Sequence, residues 1–114
     1  MFKREKKSIE KQFQFLIDKG FDVKKYFRPP DEEYIFTKGD LIIEVSYYLG
    51  IQDDGNHEMC FSIAISLNGD RRNIIESDNI FDRNSLKALS KDINNATLQQ
   101  QISLYSEFLK NNIY

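Results

Sequence analysis

The fold is decided by a hairpin segment at residues 34–47, which reads YIFTKGDLIIEVSY. Its centre, Gly39-Asp40, suits a two-residue type II′ turn, because that turn needs a positive φ at its first position. Such a turn places Phe36 opposite Ile43, and the apolar pattern agrees with the register that the turn dictates. One face of the hairpin then carries Tyr34, Phe36, Ile43, Val45 and Tyr47. The opposite face carries Ile35, Thr37, Ile42, Glu44, Ser46 and Tyr48.

Further strands are predicted on both sides of this hairpin. Residues 21–27 form a short strand that ends at Pro29-Pro30, since proline cannot donate to a sheet ladder. Residues 59–67 alternate apolar and small side chains, which is typical of an antiparallel strand with one buried face. Asn68-Gly69 then predicts a turn into a short strand at residues 72–76.

Helices are predicted at both ends of the chain. Ile9, Phe13 and Leu16 recur at helical spacing with Ile17 beside them, and Gly20 ends this first helix. Either Asp82 or Asn84 caps a second helix, which carries Leu86, Leu89 and Ile93. A capping box formed by Thr97 and Gln100 begins a third helix with the stripe Leu98, Ile102, Tyr105 and Leu109.

These elements predict one α+β domain over residues 1–114. It has two layers: an antiparallel sheet of three to five strands, with the N-terminal and C-terminal helices on one face. The other face of the sheet is open to a partner or to a second subunit. It is predicted to carry Ile42, Glu44, Tyr48, Ser62, Ala64 and Ser66.

The composition excludes several classes of protein. A single cysteine, Cys60, and a single histidine, His57, leave neither an internal disulfide nor a Cys/His zinc site within one chain. No apolar run reaches the ~20 residues of a membrane span, and residues 2–7 lack the apolar stretch of a signal peptide. We therefore expect a cytoplasmic protein without metal, cofactor or membrane attachment. A histidine-dependent enzyme would have to use His57, and we do not expect an enzyme.

The charge is uneven along the chain, although the net charge is only -2. Residues 1–28 hold 9 basic and 4 acidic residues, a sum of +5. Residues 29–58 hold 1 basic and 8 acidic residues, a sum of -7, and residues 59–114 hold 6 of each. An acidic surface accelerates encounter with a basic partner, so the middle of the chain is the candidate docking region.

The candidate partner-binding residues are the carboxylates near two connections of the sheet. They are Asp31, Glu32, Glu33, Asp53, Asp54 and Glu58. The competing interpretation is that these residues form solvated turns, which need polar side chains in any case. A calcium loop beginning at Asp53 is excluded, because Glu58 stands where an EF-hand needs glycine and Ala64 where it needs glutamate.

Basic residues offer a second hypothesis. Residues 3–11 contain five basic and two acidic side chains, and Arg71-Arg72 forms a smaller basic pair. Both could contact phosphates of a nucleic acid, although a solvated helix face is the favoured interpretation of the first. The chain also lacks the alternating glycine and aromatic pattern of RNA-binding sheets.

One family resemblance covers most of the chain in element order. Phe13-Gln14-Phe15-Leu16 leading to Gly20-Phe21 resembles the first helix and turn of many small bacterial immunity proteins. A meander follows in those proteins, here at residues 34–48 and 59–67, and then a closing helix, here at residues 98–109. Such proteins are encoded beside polymorphic or contact-dependent toxins, and each binds and blocks its cognate toxin.

The resemblance implies a toxin-neutralising protein without enzymatic activity. Many toxins of these systems are basic nucleases, and an acidic surface can cover their active sites. The chain is therefore expected to bind a cognate toxin domain through its carboxylates. The alternatives are a nucleic-acid-associated regulator and a small homodimeric adaptor joined through the open sheet face or an edge strand.

Overall fold

A computed structural model describes residues 2–51 and 53–113, with side chains described from Ile9 onward. It has the predicted α+β architecture, in which five antiparallel strands follow one another in the order β1-β2-β3-β4-β5. The strands are β1 (Asp22–Arg28), β2 (Asp31–Lys38), β3 (Leu41–Ile51), β4 (His57–Leu67) and β5 (Asp70–Asn73). The helices are α1 (Phe2–Asp18), α2 (Arg83–Asn94) and α3 (Leu98–Asn112), and a 3₁₀ turn spans Ile74–Glu76.

The central hairpin has the register that its turn predicts. Phe36 pairs with Ile43, and Lys38 pairs with Leu41 across the turn. Gly39 has a φ of 59°, as the first position of a type II′ turn requires. The alternation is confirmed as well, because the face that carries Phe36 and Ile43 is buried while the other face is partly exposed.

The core lies between this buried face and two helices. Ile9, Phe13 and Leu16 of α1 are 0–1% exposed, and α1 and α3 pack against each other and against the same side of the sheet. The Phe13 ring lies 6.4 Å from that of Phe36 and 6.2 Å from that of Phe61. Helices at both ends of the chain therefore share one sheet face, as predicted.

Hydrogen bonds tie the two terminal helices together. The Ser106 hydroxyl donates to the backbone carbonyl of Gln12 at 2.7 Å, and the Gln12 amide donates to the Ser103 hydroxyl at 3.3 Å. Ser106 is fully buried, so its hydroxyl needs this partner. The apolar stripes thus pack in one fixed register.

The predicted helix ends are confirmed. Gly20 has a φ of 97°, and the backbone amide of Phe21 donates to the carbonyl of Leu16 at 3.0 Å, as in a Schellman motif. Asp82 rather than Asn84 caps α2 by accepting from the amide of Ser85. The capping box of α3 is complete, with Thr97 and Gln100 bonding reciprocally.

Two details differ from the sequence prediction. Ile17 lies outside the core and is 37% exposed. The last strand was predicted at residues 72–76, but β5 ends at Asn73. Residues 74–76 form a 3₁₀ turn instead. The Asn73 side chain causes this change by accepting from the amide of Ile75, which bends the chain and buries Ile74 against the core.

No helix among the described residues is long and apolar enough to cross a membrane.

Candidate functional site

The antiparallel order of the sheet brings the two acidic connections to the same end. The β1–β2 turn and the β3–β4 loop lie there, whereas the β2–β3 and β4–β5 turns lie at the opposite end. We call this end, with the carboxylates of Asp31, Glu33, Asp53, Asp54 and Glu58, the acidic end. Asp31 lies on β2 and Glu58 on β4, with an offset of two residues along the strands. Strand spacing and rise therefore separate them by on the order of 12 Å. The whole group therefore fits within one standard protein interface of ~800 Å² per partner.

Glu32 was predicted to be a partner-binding carboxylate, with a solvated turn as the competing interpretation, but the structure places it in β2 with only 8% of the residue exposed. Residues 31–33 start β2, because Pro29-Pro30 alone occupy the turn. Strand alternation then turns Glu32 to the covered face, where it accepts a hydrogen bond from the Tyr34 hydroxyl at 3.1 Å. Asp31 and Glu33 point to the open face.

Two of the remaining carboxylates have structural partners. Asp31 accepts from the backbone amide of Leu49 at 3.0 Å, which fastens the β1–β2 turn to β3. Asp54 accepts from both the backbone and the side-chain amide of Asn56, at 3.0 and 2.9 Å, and so shapes the loop. By contrast, no hydrogen bond or ion pair within the described part of the chain holds the side chains of Glu33, Asp53 or Glu58.

Exposed apolar side chains gather at the same end. Most of the large hydrophobic residues that are exposed in the described structure flank the β1–β2 turn or extend towards the β3–β4 loop. This exposed apolar cluster consists of Tyr26, Phe27, Tyr48, Leu49 and Ile51, which are 38–73% exposed. Sequence reasoning noticed only Tyr48 and missed the other four. An apolar centre with a charged rim is the usual anatomy of a protein interface.

The length of the β3–β4 hairpin explains why two residues of the cluster, Leu49 and Ile51, are uncovered. Strands β3 and β4 continue pairing to Ile51 and His57, beyond the last β1–β2 pair, Arg28 with Asp31. The hairpin therefore projects past the neighbouring turn. Leu49 and Ile51 have the same strand parity as the buried Tyr47, but they lie on the projecting part and stay exposed.

A depression lies on the open face next to the projecting hairpin. It has a volume of about 470 Å³, and the short side chains of Ser46 and Ser62, which pair across β3 and β4, form its floor. Tyr26 and Tyr48 stand on either side of it, and its border also includes Arg28, Asp31 and Glu33. Seven of its nine lining residues have the strand parity of the open face, and the other two, Glu32 and Tyr47, have that of the covered face. The depression therefore lies mainly on the open face of the sheet.

Most of the candidate nucleic-acid contacts are bound to carboxylates or lie outside the described side chains, whereas Lys11 is described and exposed. Arg71 donates to Glu44 at 2.8 Å, and this hydrogen bond raises the pKa of Arg71. Arg72 bridges Asp70 and Asp78, each at 2.9 Å. Of the basic segment at residues 3–11, the side chains of residues 3–8 lie outside the described residues. Both arginines of the candidate basic pair therefore bind carboxylates of their own chain.

His57, the one histidine of the chain, is exposed at the start of β4, opposite Ile51. Within residues 2–51 and 53–113, no group of three or more His, Cys, Asp and Glu side chains is arranged to hold a metal ion.

The buried Glu32–Tyr34 pair predicts loss of stability in alkali. Burial, followed by the charge of Glu32, raises the pKa of Tyr34 above its usual value. A phenol whose pKa is raised by folding keeps its proton in the folded state, so unfolding is favoured once the pH exceeds the unfolded value of about 10. We expect the free energy of unfolding to fall between about pH 10 and 12, measured by urea titration.

The matched variant for this prediction is Tyr34→Phe. It loses the hydrogen bond to Glu32 at every pH and so lowers stability at neutral pH by about 1–2 kcal/mol. Its alkaline decline is shallower than that of the unaltered chain. An equally steep decline in Tyr34→Phe would show that other groups, such as the buried Tyr105, whose pKa burial also raises, cause the effect.

Comparison with protein-family models, with curated proteins and with solved structures finds no match to this chain.

Proposed function

We propose that this chain is an immunity protein that neutralises a cognate bacterial toxin by binding its basic domain through the acidic end. The observation that carries the proposal is the meeting of unpaired carboxylates and exposed apolar side chains at one end of the sheet. The order of elements, which resembles that of small immunity proteins, directs the proposal to a toxin. The encounter belongs in the cytoplasm, where such a protein would protect its own cell.

The two features of the acidic end have separate physical roles. Carboxylates raise the rate of encounter with a basic surface, and salt weakens that effect because the Debye length is only ~8 Å at physiological ionic strength. The exposed apolar cluster supplies the area that a partner removes from water, which slows dissociation. A basic nuclease domain fits both features and would lose access to its own substrate.

The nucleic-acid alternative is less well supported, because Arg71 and Arg72 already bind carboxylates of their own chain. The homodimeric adaptor stays a prediction, and nothing within a single chain favours it over a toxin partner. Each alternative has a test of its own: the first predicts a shift of DNA or RNA at low salt, and the second predicts a dimer of the purified chain in solution.

The test is binding of the toxin domain encoded beside this chain's gene, with a variant that removes charge but no structural bond. Glu33→Gln, Asp53→Asn and Glu58→Gln together change three side chains that no described hydrogen bond holds. We expect roughly tenfold weaker binding, mostly through slower association, and a smaller dependence on salt. Stopped-flow mixing at low and physiological salt measures both quantities.

The control makes the same change in net charge elsewhere. Asp22→Asn, Asp40→Asn and Glu76→Gln lie outside the acidic end, two of them beside the opposite end of the sheet, and should leave association unchanged. If the acidic-end variant associates as fast as the unaltered chain, binding does not use this surface. If the purified chain leaves the toxin domain unbound and active, the immunity function is wrong.

A further inference from the structure

The depression on the open face has a composition that selects for one kind of side chain. It is lined by two tyrosines, Tyr26 and Tyr48, by the acidic residues Asp31, Glu32 and Glu33, and by one basic residue, Arg28. Glu32 already accepts a hydrogen bond from Tyr34, which leaves Asp31 and Glu33 as the acidic residues of the open face. Rings bind cations over their faces, and carboxylates bind them by charge-assisted hydrogen bonds. The volume of about 470 Å³ lies within the range of roughly 300–1,000 Å³ for ligand sites.

From this arrangement we infer that the depression is a receptor for an arginine side chain of the partner. The inference rests on the proposed function and deepens it, since it names the group that the open face recognises. Arginine fits better than lysine because its guanidinium is planar, stacks on aromatic rings and presents several donors at once. The short Ser46 and Ser62 side chains leave the space that such a group fills.

Glu33 is the central acceptor of this receptor. It lies between Tyr26 of β1 and Ser46 of β3 in the strand pairing. The ion pairs formed by described residues involve neither Glu33 nor Asp31. Asp31 is partly committed, because one of its oxygens accepts from the Leu49 amide. Arg71 acts on Glu33 through its charge, but it binds Glu44 instead. An incoming guanidinium would therefore find the Glu33 carboxylate without a described hydrogen bond or ion pair, next to polar and aromatic residues.

Arg28 has the same charge as an incoming guanidinium, so replacing it tests whether the depression binds a cation or an anion. It lies opposite Asp31 in the backbone register of β1 and β2, and it borders the same depression. Its charge repels a second guanidinium, so its removal should strengthen binding of arginine. If the depression were instead a site for an anion, removal of Arg28 would abolish binding.

The experiment is an NMR titration of the ¹⁵N-labelled chain with Nα-acetyl-arginine amide. The matched probe is Nα-acetyl-citrulline amide, which has nearly the same shape but no charge. We expect the arginine probe to shift the backbone amides of Glu33, Ser46, Tyr48 and Ser62, and the citrulline probe to leave them unchanged. Glu33→Gln should weaken the arginine response roughly tenfold, as expected for loss of a charge-assisted hydrogen bond.

Two further variants complete the test. Arg28→Gln should strengthen binding of the arginine probe roughly threefold, as expected for one like charge removed at about 6 Å in water. Glu76→Gln, a change of the same type outside the depression, should leave the response unchanged. The inference is overturned if shifts are absent, if they map elsewhere, if citrulline gives the same response, or if Arg28→Gln weakens binding.

The two proposals fail separately in these measurements. If the toxin domain binds at the acidic end but the arginine probe does not shift the amides of the depression, the arginine receptor is refuted and the proposed function stands. An arginine response in a chain that does not bind or inhibit its neighbouring toxin would discard the proposed function and leave a cation-binding depression whose partner is another basic protein.

Discussion

Replacing Phe13 with alanine is expected to lower the free energy of unfolding by about 3–5 kcal/mol, the largest change in stability that we predict. Phe13 is 1% exposed, and its ring lies within 6.2–6.4 Å of the rings of Phe15, Phe36 and Phe61. Alanine would leave a cavity where α1 contacts the sheet, and the surrounding strands could collapse into it only in part. Because domains are stable by only ~5–15 kcal/mol, much of the total would be lost.

Urea titration followed by far-UV circular dichroism measures this change, since the chain contains no tryptophan. The control is Ile17→Ala in the same helix, where the side chain is 37% exposed and the cost should stay below about 1 kcal/mol. A loss of less than about 1 kcal/mol for Phe13→Ala would contradict the packing of α1 on the sheet.

Replacing Leu49 and Ile51 together with serine is expected to weaken toxin binding roughly 30-fold, the largest change in affinity that we predict. These side chains are 43% and 73% exposed, so their replacement costs little in the free chain. In the complex each would lose apolar area that the partner removes from water. Faster dissociation, measured by surface plasmon resonance, should account for most of the effect.

The matched control is Ile17→Ser with Ile75→Ser. Both isoleucines are 37% exposed and lie on α1 and the 3₁₀ turn, outside the exposed apolar cluster. Thermal melting of both double variants checks that the fold is intact. Equal affinity of the two double variants for the toxin domain would show that the projecting hairpin is not part of the interface.

Local chemistry made much of the fold predictable. Gly39-Asp40, Gly20 and the Thr97–Gln100 box each act over a few residues, and the structure contains each device as predicted. The β2–β3 register followed from the turn alone. Strand alternation also predicts that Glu32 is buried, since it stands two residues before the buried Tyr34. The prediction was missed because the turn at Pro29-Pro30 was expected to extend over Glu32.

The candidate surface was predictable only in part. The charges of Asp31, Glu33, Asp53, Asp54 and Glu58 are visible in the sequence, but their meeting at one end depends on strand order. The exposure of Leu49 and Ile51 is a tertiary property. Their alternation matches that of buried residues, and only the length of β3 relative to its neighbours leaves them uncovered.

The packing of α3 on α1 has a consequence for the order in which the chain assembles. Each strand pairs with the next one in sequence, so the hairpins close short loops and can form while the chain is still being synthesised. Helix α1 packs on two neighbours: Phe13 contacts Phe36 and Phe61 of the sheet, and the bond from Ser106 to Gln12 joins α1 to α3 across 94 residues. The nascent chain can therefore dock α1 on the sheet before α3 is made, but the side of α1 that contacts α3, and the part of Phe61 that Tyr105 covers, stay exposed until α3 emerges. Premature termination before α3 would therefore yield an aggregation-prone fragment.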